Sequence, residues 1–351
     1  MTKQRSGTSP RSETAPRSRR AAWTLVLVAP AVAELTLGTV PVRMFWLVLL
    51  YVPVYGAGVL LVRELVRRFG GGWSSVLAMG LVYGLVEEGL ALQSLTSPHL
   101  YGAADWGPRP FGVNAPYAEL NLPYHAVFSV LIPIALVELV FRRHGRAAYL
   151  RRGGLVVTGL VAALGALLLR VSVPPSEDPH YALPGGAALI ILALCAALTV
   201  LALGVLPRLP RLHRPPLRGA PPAPRVLGAV CGAASFGYLA LLFPFAGADH
   251  SAFVARAWTP VPMAAAALLA AATAVFLRRT RGWTDRHRLA AISGALVAHT
   301  AFGLVANTGN VPDALGLIVV AAAMVALLAA LGRRLAAPGP ARPAHTTRET
   351  L

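Results

Sequence analysis

Residues 185–206 read GGAALIILALCAALTVLALGVL, without one charged side chain. Wound as a helix at 1.5 Å per residue, such a run is about 33 Å long, enough to cross the roughly 30 Å hydrocarbon core of a bilayer. Working outward from it, the chain resolves into further apolar stretches at 21–40, 44–66, 73–95, 123–141, 153–172, 226–246, 258–277, 289–307 and 312–332. The sequence therefore predicts an all-α fold, a polytopic transmembrane helical bundle of about ten spans, because backbone amides in lipid find no water and must pair within helices. Composition agrees: 56% of the 351 residues are hydrophobic and 13% charged, against roughly 25% charged in soluble domains. Pro30, Pro53 and Pro133 fall inside spans and predict local kinks.

The formal net charge is +18. The basic residues lie in short clusters flanking apolar spans, without interleaved stacking aromatics, which points away from nucleic acid and toward membrane topology. With the N-terminus placed inside, every Lys and Arg except Arg43, Arg109, Arg170 and Arg256 falls on the cytoplasmic side. That alternation predicts both termini in the cytoplasm, and adding or removing one internal span would destroy it. Trp23, Trp46, Trp73 and Trp258 fall at span ends, where amphipathic rings favour the headgroup region.

Residues 1–20 predict a disordered basic tail, 21–334 one transmembrane domain, and 335–351 a second disordered tail. Arg19-Arg20, an apolar stretch and Ala31-Val32-Ala33 before Glu34 also fit a cleavable signal. Apolar character resumes through Leu35 and Leu37, which favours an uncut first span; cleavage would leave nine spans in the same orientation. Cys195 and Cys231 stand alone inside spans and predict neither a disulfide framework nor a thiolate metal site.

A charge at the centre of a membrane helix costs at least about 2.5 kcal/mol, so ionisable residues there face a partner or a cavity. The candidates are Glu34, Glu87, Glu88, Glu138, His125 and His299. Glu64 and Glu138 lie near inner span ends beside arginines, predicting interfacial ion pairs. Glu87 and Glu88 lie about 21 and 22 Å along their helix from Trp73, too deep to snorkel. Two adjacent buried carboxylates do not both stay ionised without a metal or cation beside them. Tyr83 and Gly84 stand one turn earlier on the same face. His299 lies about 15 Å into its helix, with Asn307 two turns further. His125, two residues after Pro123, is expected at the outer end of the fourth span. The loop from Thr96 to Leu122, with His99, Tyr101, Trp106, Phe111 and Tyr117, reads as a packed lid over the outer mouth of a cavity. Asp249-His250 reads as exposed surface.

The stretch Val86 to Ser94, VEEGLALQS, resembles uncharacterised bacterial multi-pass membrane proteins, which implies a bacterial plasma membrane location and a single module and brings no known activity. The order of Glu87-Glu88 before histidines on two later helices is also similar to the CPBP family of intramembrane proteases, related to the CAAX-processing proteases. There a paired-glutamate EExxxR motif, a histidine in FxxxH and a final histidine followed by Asn or Asp form a membrane-embedded site. That resemblance implies that Glu87 and Glu88 activate a water, while His125 and His299 help bind a metal, such as zinc held with Glu88, or stabilise an oxyanion. This chain departs from the pattern at Leu92, Asn121 and Gly303, with asparagine arriving at Asn307.

Three functional readings follow. One is a metal-dependent intramembrane protease in the outer half of the bilayer, with Glu87, Glu88, His125 and His299 at its site and Tyr83 and Asn307 in support. Another is a proton- or cation-coupled secondary transporter using Glu87 and Glu88. The third is a non-enzymatic binding or assembly protein whose polar residues staple helices. The expected partner is the lipid bilayer, with no nucleic acid. Convergence of the four side chains discriminates the first reading, since zinc needs three or four ligands at about 2.0 to 2.2 Å.

Overall fold

The computed structural model describes residues 18–101, 106–209, 221–243, 259–307 and 309–336. Asp249, His250, Arg256, Trp258 and most of the two tails lie outside them. Ten helices follow one another: α1 (Arg19–Pro30, prolonged by a π-helical turn at Ala31–Leu35), α2 (Leu47–Arg68), α3 (Trp73–Ala91), α4 (Ala115–Val140), α5 (Arg152–Glu177), α6 (Gly185–Val205), α7 (Pro224–Leu242), α8 (Pro260–Arg279), α9 (Asp285–Ala306) and α10 (Val311–Ala336). Among the described residues there is no strand, and α2 to α10 are each long and apolar enough to cross a membrane. The first helix is shorter, 12 residues plus a five-residue π turn, about 26 Å at 1.5 Å per residue. It ends where the chain reverses at Gly38, whose φ of +80° suits glycine.

Successive helices alternate in direction, and polar contacts mark the two ends of the bundle. At one end Arg142 pairs with Asp285 at 2.7 Å, tying the end of α4 to the start of α9. At the other, Arg43 pairs with Asp313 at 3.2 Å and Ser97 donates to Asp178 at 2.6 Å. The protein's core lies around α1 to α4. Windows of α2, α3 and α4 are 56%, 67% and 61% buried inside the protein, whereas those of α5 and α8 are 11% buried; their exposed leucines and valines are the surface that lipid covers. Helices α7 and α9 cross at Gly228 and Gly294, so closely that a Cβ on Gly294 would overlap the Gly228 carbonyl.

Glu64 and Glu138 do form ion pairs, and at α2's end these build one buried cluster. Arg63, fully buried, reaches Glu64 at 3.0 Å and Glu138 at 3.2 Å. Arg67 donates to both oxygens of Glu138 at 2.9 Å. Glu64 also accepts the backbone N–H groups of Tyr149 and Leu150 at 2.8 and 3.0 Å, and the Arg63 guanidinium lies 3.3 Å from the Tyr149 ring centre. Burial pushes the Tyr149 phenol up to about 12, so the ring stays neutral beneath that cation.

The fourth span differs from the sequence expectation. Its helix begins at Ala115 rather than near Pro123, because the Asn114 side chain caps it by accepting the Tyr117 N–H at 3.1 Å and Pro116 fits its first turn. Pro123, inside the helix, is followed at once by a π-helical segment, His125–Leu131. Pro30 likewise precedes the π turn of α1, and Pro53 sits inside another at Val52–Ala57. A proline withholds one N–H from the i→i−4 ladder, and the neighbouring turn widens to re-pair its carbonyls. The expected kinks take this form.

Candidate functional site

Four π-helical segments face one another: Ala31–Leu35 in α1, Val52–Ala57 in α2, Leu85–Ala91 in α3 and His125–Leu131 in α4. Each carries one or more of the site's side chains: Glu34, Tyr55, Glu87 with Glu88, and His125. Such turns concentrate at functional sites because the widened ladder re-aims side chains off the regular helical stripe.

Two glycines let α3 and α4 close. A Cβ at Gly80 would stand 2.7 Å from the Ala126 Cα, and one at Gly84 would stand 3.2 Å from the His125 Cβ. Glu87 and Glu88 fall in the last turns of α3, about 21 Å from Trp73, where the negative end of the helix dipole adds to the cost of an anion. Beyond Ala91 the chain hooks back through Gln93, whose φ of +60° is uncommon for a side-chain-bearing residue. The hook returns Ser94, whose hydroxyl donates to the Glu88 backbone carbonyl at 3.0 Å and closely to the Glu88 carboxylate.

The two carboxylates have opposite environments. Glu88 is saturated: Oε2 accepts from Ser94 and from the Tyr117 hydroxyl at 3.0 Å, and Oε1 accepts from His125 Nε2 at 2.8 Å. Glu87 Oε2 is buried and accepts no hydrogen bond, although His125 Nδ1 lies 3.3 Å away. His125 Nδ1 also meets the Ser129 hydroxyl at 3.1 Å, and the rings of Tyr55 and Tyr83 pack 6.2 and 5.9 Å from the imidazole. His125 is thus fixed by one glutamate and presented to the other.

Glu87, Glu88 and His125 line a cavity of about 380 Å³, together with Glu34 from α1. Glu34 accepts from the Thr39 hydroxyl at 2.6 Å. The aromatic wall comprises Tyr51, Tyr55, Tyr101, Tyr117, Tyr124 and Trp106. Of the aromatics expected in a lid, Trp106, Tyr117 and the partly exposed Tyr101 line the cavity, while His99 and Phe111 are exposed and do not. The loop ends at Asn114, so Tyr117 enters from the first turn of α4.

His299 and Asn307 lie apart from this group. His299 stacks on Phe128 at 4.3 Å. Its Nδ1 meets Thr36 Oγ1 at 3.2 Å and its Nε2 the Tyr124 hydroxyl at 3.0 Å. Asn307 terminates α9, its amide donating to the Gly303 carbonyl at 2.8 Å. Among the described residues no group of three or more His, Cys, Asp and Glu side chains has the arrangement to hold a metal ion. The expected zinc set of Glu88, His125 and His299 is not brought together: His125 and Glu88 touch at 2.8 Å, whereas the nitrogens of His299 meet Thr36 and Tyr124.

A model of an uncharacterised membrane protein family matches residues 24–342. The chain belongs to that family. The match runs from within α1 through α10. No curated protein and no solved structure matches the chain.

Sequence reasoning passed over Ser94, Ser129, Tyr55 and Tyr124 as members of the site, and treated Glu34 only as one of several buried acids. Ser94 carried a signal in the Gln-Ser that follows the glutamates. Hydroxyls inside spans otherwise look alike, since most donate to the carbonyl one turn earlier, as Thr158 does at 2.8 Å.

Proposed function

We propose that this family member works in the bacterial plasma membrane, both termini cytoplasmic, as an intramembrane hydrolase whose water is activated by Glu87 and His125 in the outer half of the bilayer. One observation carries the reading: of two adjacent carboxylates on the cavity wall, Glu88 spends its lone pairs holding His125 and two hydroxyls, while the buried Oε2 of Glu87 accepts no hydrogen bond and lies 3.3 Å from His125 Nδ1. A base oriented by a second group is the pattern of nucleophile activation. In this scheme Glu87 accepts a proton from water, the hydroxide attacks a substrate carbonyl, and His125 delivers a proton to the leaving group. Phenols of the cavity wall are the donors available to the developing oxyanion. No step is assigned to a metal. The surplus of arginine at the α2, α4, α8 and α10 ends supports the orientation.

Coupled transport is the second reading, favoured by the third carboxylate, Glu34, on the same cavity. Comparison of membrane-derived peptides from cells carrying the wild-type chain and Glu87→Gln separates the two. Cleavage products lost in the variant support hydrolysis. Identical peptide profiles, with solute uptake into proteoliposomes that follows an imposed proton gradient, support transport instead.

A further inference from the structure

The chain is strongly basic, with 32 Lys and Arg against 14 Asp and Glu, yet the cavity around Glu87 and Glu88 inverts that balance. Glu34, Glu87 and Glu88 line it, and among the described residues no Lys or Arg does. Among the same residues His125 is the sole basic group on the wall, and its Nε2 is committed to Glu88. The C-terminal end of α3 adds the negative pole of a helix dipole at the same place. Glu87, on this wall, has a buried oxygen that accepts no hydrogen bond. Tyr51, Tyr101 and Trp106 line the same space, and the electron-rich face of an aromatic ring attracts a desolvated cation. At about 380 Å³ the cavity lies in the range that holds small organic ligands, about 300 to 1,000 Å³.

We infer that the cavity is a binding site for an organic cation, a substituted ammonium group seated between the three carboxylates and the aromatic wall. Carboxylates alone would be served by a proton or a small inorganic ion, which would leave the aromatic wall without a role. The rings alone would serve any apolar ligand, which would leave the acids uncompensated. An ammonium carrying alkyl groups answers both features. The ammonium is the shared chemistry of a free amine and of a zwitterionic lipid headgroup. This concerns what enters the cavity and stands whether or not water is activated there.

The full chain purified in a non-ionic maltoside is titrated calorimetrically with choline and with its neutral isostere 3,3-dimethylbutan-1-ol. Diheptanoylphosphatidylcholine and diheptanoylphosphatidylglycerol form a second pair. Saturable choline binding at least about tenfold tighter than the isostere, weakened by a similar factor in Glu34→Gln and severalfold in Tyr101→Leu, supports the site and assigns a soluble source. Binding of the phosphatidylcholine alone, with the same variant pattern, supports it with a lipid source. Tyr101 lies in a loop, so its variant reads out binding even if Glu34→Gln fails to fold. Equal affinity for each charged and uncharged partner, or saturable binding of neither ammonium, overturns the inference.

Discussion

Replacing either of two adjacent glutamates by glutamine is the same chemical edit, yet the structure requires opposite consequences for stability. Glu88 accepts three hydrogen bonds, from Ser94, Tyr117 and His125. Bonds to a charged acceptor contribute about 1.5 to 3 kcal/mol each, against about 0.5 to 1.5 for neutral partners. A glutamine at 88 keeps its carbonyl toward the two hydroxyls but turns an NH₂ toward His125 Nε2, which forces the other imidazole tautomer. The loss is therefore about 1 kcal/mol per bond, or about 3 kcal/mol in all. Glu87 Oε2 accepts no hydrogen bond, so Glu87→Gln gives up its contact with His125 Nδ1 at 3.3 Å, while the neighbouring Tyr55 hydroxyl can still donate to the amide carbonyl. It also relieves a buried charge at the negative end of a helix, worth about 0.3 to 1 kcal/mol. The variant should lie within about 1 kcal/mol of wild type, and at least about 2 kcal/mol above Glu88→Gln. Equilibrium unfolding of the three proteins in one mild detergent, followed by tryptophan fluorescence, measures the order. Coincident transitions for the two variants, or Glu87→Gln as the less stable, would refute the assignment of Glu88 as the anchor and Glu87 as the reactive acid.

Four other outcomes follow from the same coordinates. Arg67→Met leaves Glu138 without its bidentate partner and should cost about 3 to 5 kcal/mol, seen as a lost monodisperse peak in size-exclusion chromatography; Arg67→Lys should rescue it only in part, because an ammonium cannot span both oxygens. Gly294→Leu should part α7 from α9 and destabilise the protein by about 1 to 3 kcal/mol or more, whereas Gly153→Leu, with open space around its Cα, should be silent in the same unfolding assay. Elemental analysis of the purified chain should find less than one zinc per molecule, and a full equivalent lost on Glu88→Gln would restore the metal reading. Intact-mass measurement should find α1 retained, since Ala21, Leu25 and Ala29 are buried against the bundle and the Ala33 carbonyl accepts the Tyr124 hydroxyl at 2.5 Å; a mature start at Glu34 would contradict that packing.

The depth of Glu87 and Glu88 was legible in the sequence, because distance along a helix follows from counting residues. The partnership of His125 with both was legible only as a possibility. Pro123 suggested a helix start, whereas Asn114 and Pro116 begin α4 two turns earlier. At 26 residues the helix is about 39 Å long, so its first turns stand above a core of roughly 30 Å or are taken up in tilt. That shift brings His125 to the level of the glutamates instead of the membrane surface. His299 illustrates the converse. It has a similar depth and residue type, but depth leaves the angle around the helix open, and the imidazole meets Thr36 and Tyr124 instead of Glu88.

Hydrophobic length and arginine placement, read along one dimension, determined an all-helical membrane bundle, since lipid tolerates no unpaired backbone and each span must match a fixed thickness. They also predicted that buried acids need a polar receptacle. Which acids share one was decided by the close approaches at Gly80 and Gly84 and by four π-helical turns that rotate Glu34, Tyr55, Glu87 with Glu88, and His125 toward a common cavity. Three of these turns adjoin or contain Pro30, Pro53 or Pro123 and so have a local cause, but which turns meet depends on where neighbouring helices press together, and no local run of residues encodes that.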